Sequence, residues 1–292
     1  YERHVNEQDY EYQVYQCIDN KKDIAKWVAY IEETGLDPNS WTGIQKIVRK
    51  GLASDFFTVG DQIMSNYDGG EIIWEVIGID IDTPADPSLT HSMTIQTKDC
   101  LHDIQFDAPE QSNPDSNRKN YGNNRYVHSA VRQWLNSDEA TFKWQSQHQY
   151  DVKPNANPEL YNGAGFLNRL DPELVGVLGT VNKKVAKNAI TDGGGKEEFT
   201  DKVFLISPKE AGYTSSEMND DGVYTGETVY PFYDGKGNAN RVKNLDASPR
   251  VWWLRSPFVS VSYTVRSVSP CGLLSNFFAC SSYGLSPACT IC

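Results

Sequence analysis

Charge is nearly absent from the last 42 residues, VWWLRSPFVSVSYTVRSVSPCGLLSNFFACSSYGLSPACTIC, where Arg255 and Arg266 are the only charged side chains. The whole chain is 23% charged, so ordinary usage would put about ten there. Glu, Asp, Lys, Gln, His and Met are missing from the stretch altogether. It is not a membrane span, because Ser and Gly interrupt it throughout. No apolar run elsewhere reaches spanning length and no signal peptide opens the chain, so no membrane insertion is expected. Positive charge is also short: 27 Lys and Arg stand against 39 Asp and Glu, a net charge of −12 with a pI near 4.9. That balance argues against a non-specific binder of nucleic acid or of anionic membranes. Catalytic signatures are missing too: there is no HExxH, phosphate-binding P-loop, GxSxG or dinucleotide fingerprint.

What is present suffices for a substantial core: 292 residues, 39% hydrophobic, with seven Trp and sixteen Tyr. That length fits one large domain or a domain with an appendage. The chain opens at Tyr1 rather than Met, which is expected of a fragment, a processed product or the ordered part of something longer. Of the six cysteines, Cys17, Cys100, Cys271, Cys280, Cys289 and Cys292, four lie in the last 22 residues. Cys289 and Cys292 have CxxC spacing, but a zinc site wants a second such pair, and Cys271 and Cys280 are too far apart to supply it. Free or partly buried thiols are expected instead, with no metal and no cofactor. Asp80, Asp82 and Asp86 offer oxygen ligands for Ca²⁺ but lack the Gly and distal Glu of an EF-hand, which favours a solvated turn. "DGGGKEEF" lacks the spaced Gly and the Ser/Thr of a phosphate loop and reads as a flexible turn. His91, His102 and His128 have no ligand spacing. Glu71 and Glu75 flank Trp74 on the polar side of a strand and do not read as a catalytic pair.

Along the chain, Ile24, Trp27, Val28 and Ile31 form a helical stripe ending at Gly35. A second short helix follows, with Ser40 as N-cap and Ile44, Ile47 and Val48 as its apolar face. "FFTVGDQI" and "EIIWEVIGIDID" read as strands joined by the turn "NYDGG", and "HSMTIQTKDC" as another strand. "NRYVHSAVRQWLN" reads as a helix carrying Val127, Val131, Trp134 and Leu135. "DPELVGVLGTVNKKVAKN" and "TDKVFLISPKEAGY" read as strands, and residues 107–124 and 214–247 as long loops. There is no internal repeat. The pattern is α+β, with short strands, a few helices and long loops rather than alternating βαβ units.

The blocks "EIIWEVIGID", "HSMTIQTKDCL", "YVHSAVRQWLN", "DKVFLISPKEAGY" and "WWLRSP…VRSV…G…PAC" together resemble a family of bacterial and phage proteins, a domain of unknown function. The likeness runs from about residue 70 to the end, and "WWLRSP" with its distal "G…PAC" is its most specific part. "WTGIQKIVRKGLA" is similar to the lead-in of phage members. The resemblance implies a C-type-lectin-like fold, akin to its formylglycine-generating-enzyme branch. Residues 1–55 would then be a helical lead-in or partner-docking segment, and 56–292 a ligand-binding domain. Many such proteins resemble targets of diversity-generating retroelements, in which an error-prone reverse transcriptase rewrites adenines near the 3′ end of the gene.

That implication has a chemical signature. AAY codons rewritten to NNY cannot encode Lys, Glu, Gln, Met or Trp. None of these five occurs from Phe258 to Cys292, although they make up roughly a fifth of ordinary sequence, a chance on the order of one in a thousand. A buried strand region would be rich in Val, Ile and Leu, whereas nine serines lie from Ser256 to Ser286. The resemblance therefore divides the tail. Trp252, Trp253, Arg255, Pro257, Gly272 and Pro287 match unvaried frame positions, with Arg255 expected to be a buried or half-buried partner for a carboxylate. Phe258, Val259, Ser260, Ser262, Tyr263, Thr264, Ser267, Cys271, Leu273, Ser275, Asn276, Phe278, Cys280, Ser282 and Tyr283 match varied ones, in a variable region of about 258–283. Aromatic and small polar residues suit adaptable binding, while Leu274, Phe277 and Phe278 read equally as core. The resemblance implies a non-enzymatic receptor-binding or adhesion protein on a phage virion or bacterial surface. Its partner would be a protein or glycan on a host or target cell, with other virion proteins or self-association as further contacts. The alternatives are a formylglycine-generating-type cysteine oxidase, using Cys271 with Cys280 or Cys289 with Cys292, and a purely structural virion protein. The tail has no Asp or Glu, so its face is not expected to need Ca²⁺.

Overall fold

The computed structural model describes residues 24–218 and 227–292, with side chains described from Ala29. The first helix, Ile24–Thr34, stops at Gly35, whose φ of +67° needs no Cβ to be avoided. Ile31 packs on the core, while the side chains of Ile24, Trp27 and Val28 lie outside the described residues. Helix Trp41–Arg49 begins where the Ser40 hydroxyl accepts a hydrogen bond from the Gly43 amide at 3.2 Å. It buries Trp41, Ile44, Ile47 and Val48. From its other side Gln45 Nε2 and Arg49 Nε donate to the Cys292 carbonyl oxygen at 2.9 and 3.1 Å. Leu36, Trp41 and Phe56 belong to the same continuous core as the sheets, so this helix is built into the body that follows it.

Among the described residues fifteen strands run β1 Gln62–Tyr67, β2 Gly70–Ile79, β3 Met93–Thr97, β4 Asp103–Gln105, β5 Leu178–Gly179, β6 Val181–Ala186, β7 Lys196–Asp201, β8 Val203–Phe204, β9 Lys243–Leu245, β10 Ser248–Arg250, β11 Trp252–Pro257, β12 Thr264–Val268, β13 Leu274–Phe278, β14 Ser282–Gly284 and β15 Ala288–Ile291. One sheet has the order β1-β2-β3-β15-β5, with β8 also on β15. A second has the order β13-β12-β11-β14-β4, and β6-β7 and β9-β10 are two-stranded ribbons. The fold is α+β, and among the described residues no helix is long and apolar enough to cross a membrane.

Asp68 and Gly69, both at positive φ, make the tight β1–β2 turn. β1 starts at Gln62 rather than Phe56, because Phe56 closes the short helix Ala53–Phe56. β3 is buried along its whole length between β2 and β15. Its polar residues are satisfied internally: Gln96 receives the Tyr233 hydroxyl at 2.7 Å and donates to the Ser286 carbonyl at 3.1 Å.

Two expected elements differ. "DPELV" is the helix Pro172–Val177 rather than a strand, because the Asp171 carboxylate caps the Glu173 amide and Pro172 takes the first helical position. The helix expected over "YVHSAVRQWL" is interrupted. Tyr126–His128 is a 3-10 turn, Ser129 is extended and caps the Arg132 amide, and Ala130–Leu135 is helical. The expected loops hold short structure too, namely the helix Ser116–Tyr121 and, at 243–245, β9.

Candidate ligand-binding face

The tail forms most of the second sheet, and its strands differ sharply in exposure. β11, in the interior of the sheet, is buried at every position from Trp252 to Pro257. β12 is buried likewise, while β13, at the sheet edge, is half open. The hairpin register sets Thr264 opposite Phe278 and Val268 opposite Leu274. Its turn needs glycine: Gly272 has φ +81°, and a Cβ there would lie 1.9 Å from the Asn238 carbonyl oxygen.

β13 alternates as a strand must. Phe278 and Asn276 are exposed on one side, Phe278 at 42%. Phe277 is half-buried on the other, with its ring 4.5 Å from Tyr283, which in turn meets Trp253 edge-on at 5.3 Å. Phe278 stacks on Tyr121 at 4.3 Å, and Tyr263 completes the group at 5.2 Å from Tyr121 and 5.7 Å from Phe278. Leu273, 50% exposed, and Phe278 are two of only four large hydrophobic side chains exposed among the described residues. Arg266 lies beneath, its guanidinium 4.5 Å from the Phe258 ring, and burial lowers its pKa to about 10.

The tail positions separate into groups. Ser260, Cys271, Leu273, Asn276 and Phe278 are exposed. Phe258, Val259, Tyr263, Ser275, Cys280, Ser282 and Tyr283 are half-buried at the surface. Ser262, Thr264 and Ser267 do not reach the surface, which corrects the expectation that all these positions are displayed. Ser262 is held inside by the start of helix Ser116–Tyr121, donating to Asp115 Oδ1 at 3.2 Å while its carbonyl receives Arg118 Nε. Thr264 and Ser267 lie within the buried strand β12, and their hydroxyls have no hydrogen-bond partner.

The frame below is polar and closed. Arg255, fully buried, donates to both oxygens of Glu210, to Glu227 Oε1 at 3.1 Å and to the carbonyls of Lys184 and Leu205. Lys183 Nζ bridges Glu210 Oε1 and the Tyr230 hydroxyl, each at 2.8 Å, and meets Asp82 Oδ1. Burial pushes the Glu210 carboxyl up, but Arg255 and Lys183 outweigh it and lower its pKa to about 2. A cavity of about 200 Å³ beside this network is lined by Asp82, Lys183, Glu210 and Glu227; Lys183 pairs with Asp82 and Glu210, and Glu227 pairs with Arg255.

The remaining candidates from the sequence do not assemble. The Lys183 ammonium occupies the place a cation would take at Asp82, Asp80 faces His91 at 3.1 Å, and Asp86 caps Ser88. His102 pairs with the Tyr67 hydroxyl and His128 stacks on His148, so His91, His102 and His128 stay apart. Glu75 accepts from Gln62, and Glu71 is exposed. Gly193 to Gly195 make the β6–β7 turn.

The described cysteines are free thiols; Cys17 lies outside the described residues. The whole of β13 separates Cys271 from Cys280, which at about 3.3 Å per residue puts them ~17 Å or more apart. Ser269 and the Leu273 backbone lower the Cys271 thiol's pKa, whereas burial raises those of Cys280, Cys289 and Cys292.

Tyr121 was missed in the sequence because the helix that carries it sits in a stretch rich in Asn, Asp and Ser. Also unflagged were Asp107, His148 and Asp151, whose side chains converge as metal ligands could. Burial, together with the neighbouring Asp151 and Glu110, pushes the Asp107 carboxyl well above its ordinary range.

A family model described as "Domain of unknown function (DUF6273)" matches residues 91–292. No curated protein and no solved structure matches the chain.

Proposed function

The chain belongs to the DUF6273 family, and from that premise we propose that it is a ligand-binding protein. In this reading a frame of C-type-lectin-like fold holds a surface that a diversity-generating retroelement rewrites. The protein serves in receptor binding or adhesion, on a phage virion or a bacterial surface, and is not an enzyme. Its partner is a protein or glycan on a host or target cell, and the surface works without Ca²⁺.

The observation that carries the proposal is the contrast within one sheet. Positions that the resemblance marks as varied gather on and around the open edge strand β13, where Tyr263 and Phe278 group with Tyr121 and where Leu273 and Asn276 are exposed. Two strands away, β11 is wholly buried. Stacked aromatic rings give contact area at small entropic cost, and the adjoining serines and asparagine supply adaptable hydrogen bonds. The oxidase alternative needs adjacent thiols, and neither of its pairs supports it: Cys271 and Cys280 sit beyond opposite ends of β13, and Cys289 and Cys292 are buried.

Sequencing the DNA beside the gene tests the proposal. A near-identical copy of the codons for about 258–283, next to a reverse-transcriptase gene, is expected. An intact neighbourhood with neither would remove the retroelement part. Loss of cell or ligand binding on replacing Tyr263 and Phe278 by Ala tests the binding part separately.

A further inference from the structure

Asp107 lies just past Phe106 after the end of β4 and is 1% exposed. Its amide donates to the Ala279 carbonyl at 3.0 Å, and Oδ1 receives a long bond, 3.4 Å, from the Ala130 amide. Its other oxygen, Oδ2, is buried with no hydrogen-bond partner. Around it, one ligand atom each from Asp107, His148 and Asp151 lie within 4.8 Å of one another. His148 Nε2 is 3.1 Å from Glu110 Oε1, and Glu110 is fully buried. The Asp151 side chain is 1% exposed, with Oδ1 3.9 Å from the same Nε2. Among the described residues no Lys or Arg forms an ion pair with Asp107, Glu110 or Asp151; the His148 imidazole lies against Glu110 and Asp151.

Three buried carboxylates with one imidazole and an orphaned carboxylate oxygen are the complement of a dication. We infer that Asp107, His148 and Asp151, with Glu110 beside them, form a binding site for a divalent transition-metal ion of the Zn²⁺ or Mn²⁺ class. The imidazole nitrogen selects this class over Ca²⁺ and Mg²⁺, which take oxygen ligands. Donor atoms about 2.1 Å from one ion in tetrahedral geometry lie about 3.4 Å apart, so binding draws the widest pair inward by as much as ~1.4 Å. Asn123 Nδ2 donates to Glu110 Oε1 at 3.0 Å and holds that carboxylate beside the site, while its contact with His148 Nε2, at 3.2 Å, gives way to an ion bound at that nitrogen.

The ion would tie the segment after β4 to the turn at 148–151. The first of these runs on to Tyr121, whose ring stacks on Phe278 and whose carbonyl receives the Cys280 amide at 2.9 Å. Its role is therefore to order the loop that flanks β13. The site stands whether or not that surface binds a ligand.

The test uses the full chain, stripped with chelator and dialysed, then titrated separately with Zn²⁺, Mn²⁺, Ca²⁺ and Mg²⁺. Bound metal is counted by elemental analysis and stability read by thermal melting. One equivalent of Zn²⁺ or Mn²⁺ is expected, with a rise of several degrees in Tm that Ca²⁺ and Mg²⁺ do not match. Asp107→Asn should weaken binding at least 10- to 100-fold and abolish the rise, while the metal-free variant melts no lower than the metal-free parent. His148→Ala, at a more exposed ligand, serves if Asp107→Asn does not fold. Co²⁺ bound by the parent should show absorption bands that His148→Ala removes. No metal-dependent rise in the parent, or the same rise in both variants, overturns the inference.

Discussion

β11 and β13 are separated by one strand and by some twenty residues of chain, yet they obey different rules. β11 has no solvent-facing position, and each of its large side chains has a fixed counterpart: Trp252 Nε1 donates to the Arg241 carbonyl, Trp253 Nε1 to the Ile104 carbonyl, and Arg255 to Glu210. β13 offers Asn276 and Phe278 to solvent, and the backbone bonds of its register hold whichever side chains it carries. A strand held by main-chain hydrogen bonds at a sheet edge tolerates changes that a strand locked by its side chains does not.

The largest expected effects therefore fall on β11. Arg255→Ala leaves Glu210 buried against Lys183 alone and should cost about 3–5 kcal/mol. Trp253→Ala should cost a similar ~3–5 kcal/mol, since it also removes the ring on which Tyr283 rests. Both are measured by chemical denaturation, and a loss under about 1 kcal/mol in either would erase the distinction between the strands.

Acid should act on the same frame. Glu210 titrates lower in the folded protein, at about 2, than its ordinary 4.5. Its contribution is thus present above about pH 4.5 and lost as pH falls toward 2. A shift of that size corresponds to something on the order of 3 kcal/mol. Glu210→Gln should flatten this part of the stability–pH curve, and an unchanged slope would mean that other carboxylates set it.

Tyr283 divides the comparison, because it is half-buried on Phe277 and Trp253 while sitting at a position marked as varied. Tyr283→Ala should cost about 1–2 kcal/mol, so replacing Tyr263, Phe278 and Tyr283 together would not leave stability untouched. The smallest effect belongs to the exposed edge. Leu273→Ser and Phe278→Ala should each change stability by less than about 1 kcal/mol while weakening ligand binding; a loss comparable to that of Trp253→Ala would make these residues core.

The α+β class and the strands around "EIIWEVIGID" and "MTIQT" were legible because period-two patterns and Asp-Gly turn chemistry are local. The need of a buried or half-buried Arg255 for a carboxylate was legible too, since its neighbours are bulky and apolar. Its partner was not, because Glu210 lies 45 residues away and nothing local links them. The helix Pro172–Val177 was misjudged because its Val and Leu content suggested a strand while Asp171 and Pro172 set a helix start. Tyr121 and the Asp107–His148–Asp151 cluster were invisible for the same reason as Glu210: each depends on loops brought together only by the fold.

The central claim, that β13 and its flanking loops vary on a frame fixed by β11, is tested most directly by comparing close copies of this gene from one population. The account predicts differences concentrated at codons for surface positions between Phe258 and Tyr283, among them Tyr263, Leu273, Asn276 and Phe278, with Trp252, Trp253, Arg255, Pro257, Gly272 and Pro287 unchanged. Differences spread evenly along the chain, or as frequent in β11 as in β13, would contradict it.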